Sequence, residues 1–222
     1  MFDRLRPDPR RLIRLVVGLA LYGVAIGFIV QAGLGVGPWD VFAQGVARLT
    51  GLPFGVATNV IGAAVLLLWW PLRQRPGIGT VANVLLVGTA AGATLAVLPA
   101  VAGMPVRVAE LGFGILLLAA ATGVYVGAGL GAGPRDGLML GLHHRLGLPI
   151  WLARTLVEGS ALLAGWLLGG NVGVGTVVFA VAIGPLCSVA IPLLAVRPMV
   201  LRQPDQAVPR MMDGVQKVPP KC

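Results

Sequence analysis

Apolar residues lie along this chain in long stretches, at about 12–36, 54–72, 78–101, 108–132, 150–169 and 174–196. A helix rises 1.5 Å per residue and the hydrocarbon core of a bilayer is about 30 Å thick, so roughly 20 apolar residues are needed to cross it. The pattern predicts an all-α membrane protein with six transmembrane helices. Ahead of the first stretch, residues 1–11 form a basic N-terminus. After the last, residues 197–222 are rich in Pro, Gln, Asp and basic residues, which predicts a polar, disordered tail. Arg4, Arg6, Arg10, Arg11 and Arg14 precede an apolar run from Leu12 to Val36. That run is longer than the core of a cleaved signal and predicts an uncleaved first span.

The chain repeats itself. Gly33-Leu34-Gly35-Val36-Gly37-Pro38-Trp39-Asp40 returns 96 positions later as Gly129-Leu130-Gly131-Ala132-Gly133-Pro134-Arg135-Asp136, and Gly51-Leu52-Pro53 returns as Gly147-Leu148-Pro149. Gly77, Gly79, Thr80, Val81 and Gly88 match Gly173, Gly175, Thr176, Val177 and Gly184 at the same offset. Repeat 1 therefore covers 12–101 and repeat 2 covers 108–196, with three spans in each. An odd number of spans obliges the second copy to enter from the opposite side, so the expected architecture is two inverted-topology repeats of three. With the N-terminus inside, only Arg48 and Arg107 of the 17 basic residues fall outside, an orientation in accord with the positive-inside rule. Both termini are then cytoplasmic.

Composition agrees with the span pattern. The chain of 222 residues is 57% hydrophobic and 11% charged, with mean hydropathy +0.89, far from a soluble, disordered or collagen-like chain. Its net charge of +9 sits at the ends of apolar runs, so it reads as a topology signal and not as a nucleic-acid surface. Cys187 and Cys222 have no spacing partners, and neither a disulfide framework nor a metal site is expected. Phosphate-binding loops, HExxH helices and nucleophile elbows are absent from the sequence, so no cofactor and no enzymatic activity is expected.

The duplicated glycine-rich element carries the candidate chemistry. Pro38 and Pro134 suit the first position of a helix, and Asp40 and Asp136 sit two residues on, where a helix N-terminus is positive. Gly37 and Gly133 permit the break that precedes each. About 13 residues follow before the next break, some 20 Å of helix, too short to cross the core. Each repeat is thus expected to carry a short broken helix after its first span, re-entrant or interfacial, at 38–50 and 134–146. In the first copy Asp40, Gln44 and Arg48 share one face; in the second, Asp136 and His144 occupy it. Glu158 falls near the middle of the fifth span with Arg154 one turn earlier, and their repeat partners are Gly62 and Thr58. A charge at that depth is functional by default, or else a packing ion pair. Gln31, Asn59 and Asn83 read first as hydrogen-bonding glue between helices. Gly23/Gly27, Gly88/Gly92, Gly123/Gly127 and Gly165/Gly169 read as close helix contacts, and Trp39, Trp69, Trp70, Trp151 and Trp166 as interface anchors.

The run Gly-Leu-Gly-x-Gly-Pro-Trp-Asp after the first span, followed by Gly-Leu-Pro and a Gly-x-Gly-Thr start to the third, resembles the YczE/YyaS/YitT family of bacterial multi-pass membrane proteins over residues 12–196. The resemblance implies a bacterial cytoplasmic-membrane protein and carries no catalytic residues with it. Arg135 departs from the first copy's Trp39, so the two copies are not equivalent. The leading functional expectation is a small secondary transporter or permease for a polar solute. Candidate path or gating residues are Asp40, Gln44, Asp136, His144, Arg154 and Glu158. The alternative is a structural or regulatory membrane protein acting through a protein partner; small-residue faces are also compatible with a homo-oligomer. An intramembrane aspartyl protease is disfavoured, because the span order puts Asp40 near the outside and Asp136 near the inside.

Overall fold

A computed structural model describes residues 8–99, 102–131 and 133–194. Arg4, Arg6, Cys222 and the tail predicted over 197–222 lie outside the described residues. Eight helices follow one another: α1 (Pro9–Ala32), α2 (Pro38–Thr50), α3 (Phe54–Trp69), α4 (Ile78–Val97), α5 (Met104–Val126), α6 (Pro134–Leu146), α7 (Ile150–Leu167) and α8 (Val174–Leu194). The starts of α2, α3 and α4 recur at α6, α7 and α8 at the sequence offset. The described residues contain no strand.

Local sequence sets these boundaries. The Asp8 side chain accepts a hydrogen bond from the Arg10 amide at the start of α1, and proline opens both α2 and α6. Gly51 and Gly147, at φ +72° and +66°, close those two helices in the left-handed conformation that a Cβ disfavours. The short helices span 38–50 and 134–146 as expected.

Four helices, α1, α4, α5 and α8, are long and apolar enough to cross a membrane, and α2 with α3, bent by 112° at their junction, have together the length and apolarity of one broken span or a re-entrant loop. Six independent spans are therefore more than the helices themselves supply. At 16 residues α3 reaches only about 24 Å, and Arg154 with Glu158 interrupts the apolar length of α7. The expected first span also ends sooner, at Ala32, with residues 33–37 non-helical.

Glycines pin the helices together. Along α1, Gly23 faces Val87 and Ala90 of α4, and Gly27 faces Thr94, so α1 and α4 run parallel. Gly18 faces Tyr125 of α5, whereas Ala25 and Ile29 face Gly114, so α1 and α5 run antiparallel. Gly123 of α5 packs against Ala190 of α8 in the same way as Gly27 against α4. The core is the seam around α1 and α5: Leu15, Leu19, Ile26, Ile29 and Leu118 are fully buried.

Each repeat also reaches into the other. The Gly175 amide donates to the Leu34 carbonyl (2.7 Å), and the Gly79 amide to the Leu130 carbonyl (2.9 Å); these bonds exchange under the 96-residue offset. Helix α2 packs on α7 and α6 on α3. In one crossing Gly165 of α7 sits against the backbone of Val41 and Phe42. In the other the Trp69 indole covers Gly137 and donates from Nε1 to the Pro134 carbonyl (3.0 Å). Trp69 is thus buried packing and not the interface anchor its position predicts, whereas Trp70, Trp151 and Trp166 are exposed.

Candidate functional site

The direction of α2 and α6 defines the site. After Ala32 the chain turns back along the start of α8: Gly35 meets Gly173 and Thr176, and Gly37 meets Phe179. Helix α2 then begins within the bundle and runs outward, its Arg48 donating to the Gly169 carbonyl beyond the end of α7. Helix α6 does the same from the other end, beginning under Trp69 and running past Leu72 and Gln74. The amino ends of both short helices therefore point inward, toward each other.

Between them lies a cavity of about 60 Å³, with Ile26, Trp39, Asp40, Thr58, Asn83 and Arg135 in its wall. That volume accommodates several waters or a small solute. Asp40 is 5% exposed, and its carboxylate has no hydrogen-bond partner among the described residues. The Trp39 Nε1 donor is likewise buried and unpartnered. Arg135 donates to the Tyr22 hydroxyl (2.6 Å) and lies 5.9 Å from the centre of its ring, while Tyr22 meets Tyr125 edge-on. Asp40 and Asp136 both lie within electrostatic reach of the Arg135 guanidinium. Neither touches it: among the described residues the only ion pair in contact is Arg154 with Glu158. A buried polar group normally finds a partner, so an unpaired carboxylate on the wall of one small space makes that wall receptive.

The six expected path residues fall in different places. Asp40 lines the cavity. Gln44, one turn on, accepts from the Asn171 amide (2.8 Å) and ties α2 to the α7–α8 connection. Asp136 is exposed, His144 is exposed on the outer part of α6, and Arg154 and Glu158 pair on an open face of α7. Under the offset, however, Arg154 and Glu158 correspond to cavity-wall residues Thr58 and Gly62, and Asp136 to Asp40. These three occupy the counterpart of the cavity wall in repeat 2. There the wall is not closed, because α7 and α8 barely touch whereas α3 packs along α4.

Asp40 and Asp136, which the span order assigns toward opposite faces, both contribute to the field at the Arg135 guanidinium. They still do not form a catalytic pair: one is buried, the other exposed, and no hydrogen bond joins them. Sequence reasoning assigned no site role to Tyr22, Tyr125, Trp39 or Asn83. The one available signal was the Arg135-for-Trp39 exchange inside an otherwise matching motif. Asn59 bonds Thr89 across α3 and α4 and is helix glue as expected. No cluster of three metal-ligating side chains occurs among the described residues.

The Arg154–Glu158 pair is open, with side chains 55% and 35% exposed and Nε to Oε1 at 3.1 Å. An exposed pair of this kind is worth under about 1 kcal/mol. Glu158→Gln is expected to change thermal stability in detergent or nanodiscs by no more than that. A loss of several kcal/mol would instead place the face in hydrocarbon, where an orphaned arginine is costly.

Four long apolar helices, a bent helix pair and glycine-mediated helix contacts define a multi-pass membrane protein. Residues 9–192 match DUF6198, a family of unknown function, and the chain belongs to that family. It is similar to an uncharacterized protein of Haemophilus influenzae, 40% identical over 181 residues, covering 82% of this chain and 83% of the relative. It is 31% identical over 177 residues to the uncharacterized membrane protein YczE of Bacillus subtilis, covering 79% and 82%. The protein YyaS of the same organism is 24% identical over 183 residues, covering 80% and 90%. These relatives bear out the resemblance read from the glycine-rich motif. No solved structure matches the chain.

Proposed function

We propose that this protein is a small secondary transporter or permease for a polar solute, built as two inverted-topology repeats in the bacterial cytoplasmic membrane with both termini cytoplasmic. It acts as a carrier and not as a catalyst. Antiparallel α1 and α5, the exchanged Gly175–Leu34 and Gly79–Leu130 bonds and the two oppositely entering short helices support the inverted relation. With α2–α3 and α6–α7 each counted as one broken crossing, the chain makes six crossings. The observation that carries the reading is the cavity at the meeting point of the two broken helices, where a buried, unpartnered Asp40 faces the space. Irregular backbone at membrane depth is tolerated where it lines such a cavity, and paired half-helices are the usual frame of a transport site.

The test is thiol accessibility of single cysteines at 40, 136 and 158, in a background lacking Cys187 and Cys222, with a membrane-impermeant reagent applied from each side. Positions 136 and 158 are expected to label from the side carrying the amino terminus, because α6 and the start of α7 open that way, and 40 to label more slowly. Absence of labelling at all three positions, from both sides, removes the water-filled path on which the proposal depends.

A further inference from the structure

We infer that the cavity binds a small dipolar solute, one that carries a cationic and an anionic group on the same molecule. The inference rests on the transporter reading and names its substrate class. Asp40 and Arg135 share the wall of one cavity and feel each other's charge, yet they make no ion pair. Two opposite charges whose only purpose was to hold α2 against α6 would gain most by closing to contact. Here the guanidinium is instead held aside by the Tyr22 hydroxyl, and Tyr22 is fixed by its edge-on contact with Tyr125. The gap leaves the carboxylate of Asp40 without a hydrogen bond on the cavity wall.

A solute with charges at both ends satisfies all of these groups together. Its cationic end meets Asp40. Its anionic end meets Arg135, with the amino ends of α2 and α6, each positive, adding to the attraction. A simple cation would leave the guanidinium without a counter-charge, and a simple anion would leave Asp40 without one. A cavity of about 60 Å³ suits a small molecule, on the scale of an amino acid or a betaine. Repeat 2 supplies a reason for a single such site: its counterpart wall carries Arg154 and Glu158 already paired with each other.

The test uses the purified full chain in nanodiscs and reads ligand-induced thermal stabilisation, with Trp fluorescence as a second signal because Trp39 faces the space. The probes are glycine, alanine, serine and glycine betaine, each set against its singly charged analogues, the methyl ester for the cation and the deaminated acid for the anion. At least one dipolar probe is expected to bind about tenfold or more tighter than either analogue. Asp40→Asn is expected to remove the preference over the anion, and Arg135→Gln the preference over the cation, in variants that still elute as folded protein. Equal binding of an ester or an acid overturns the inference, as does failure of every dipolar probe. If the cysteines at 136 and 158 still label while only singly charged probes bind, the path survives and the dipolar assignment alone fails. If neither labelling nor binding is seen, both fall.

Discussion

Gly165→Ala is expected to destabilise the protein by about 3 kcal/mol or more, the upper end of the cost of overfilling a close contact. A Cβ at this position would lie 2.5 Å from the Phe42 Cα and from the Val41 carbonyl carbon, so it meets backbone and not a side chain able to rotate away. Relief requires α7 to move off α2, and α2 also holds the Gln44–Asn171 bond and carries Asp40. Gly159→Ala on the same helix is the control. Its Cβ would meet nothing within 4 Å, and alanine is favoured over glycine in a helix by about 1 kcal/mol. It should therefore leave stability unchanged or raise it. Thermal unfolding of the two variants, followed by monodispersity after heating, separates them. Similar behaviour of both would mean that the α2–α7 contact is not close in the folded protein.

The two crossings show how the repeats divide one job. Gly165 corresponds to Trp69 and Val41 to Gly137, so each interface pairs one large side chain with one glycine, in opposite order. The volume is supplied from α2 in one crossing and from α3 in the other. This complementarity is written in the sequence, but only after helix pairing is known, because α3–α6 and α2–α7 are contacts between repeats, 65 residues apart at Trp69–Pro134 and 127 at Gln44–Asn171.

The same limit explains what sequence reading reached. Local signals were legible: Pro38 and Pro134 at helix starts, Gly51 and Gly147 at their ends and the 96-residue repeat gave the short helices at their observed bounds. Span counting reached less far, because apolarity alone does not show the 112° bend between α2 and α3. The site was only half legible. Asp40 was visible from its place in the motif, but Tyr22, which orients Arg135, lies inside an apolar run with no neighbouring polar residue to mark it. Glu158 stood out as a charge in an apolar run with Arg154 one turn earlier, yet the exposure of that pair depends on the gap between α7 and α8, a tertiary property.

That gap gives the second large effect. The repeats adopt different arrangements of equivalent helices, with α3 closed on α4 and α7 parted from α8. In an inverted-repeat carrier, exchange of these two arrangements would close one side of the site as the other opens. A Cβ at Gly62 would lie 3.6 Å from the Val84 Cβ, within the roughly 3.5–4.5 Å that disulfides occupy. Under oxidation, in a background lacking Cys187 and Cys222, the pair Gly62→Cys with Val84→Cys is expected to bridge nearly completely. The equivalent pair, Glu158→Cys with Ala180→Cys, should bridge at least about tenfold more slowly, because in this arrangement its helices are apart. What slow bridging does occur then samples the exchanged arrangement, in which α3 and α4 must separate. Forming the 62–84 bridge first should therefore abolish 158–180 bridging in the four-cysteine protein, with the two bridges resolved by peptide mass spectrometry. An unchanged rate at 158–180 would show that α7 and α8 move independently of α3 and α4. The two repeats would then not be coupled as an alternating carrier requires.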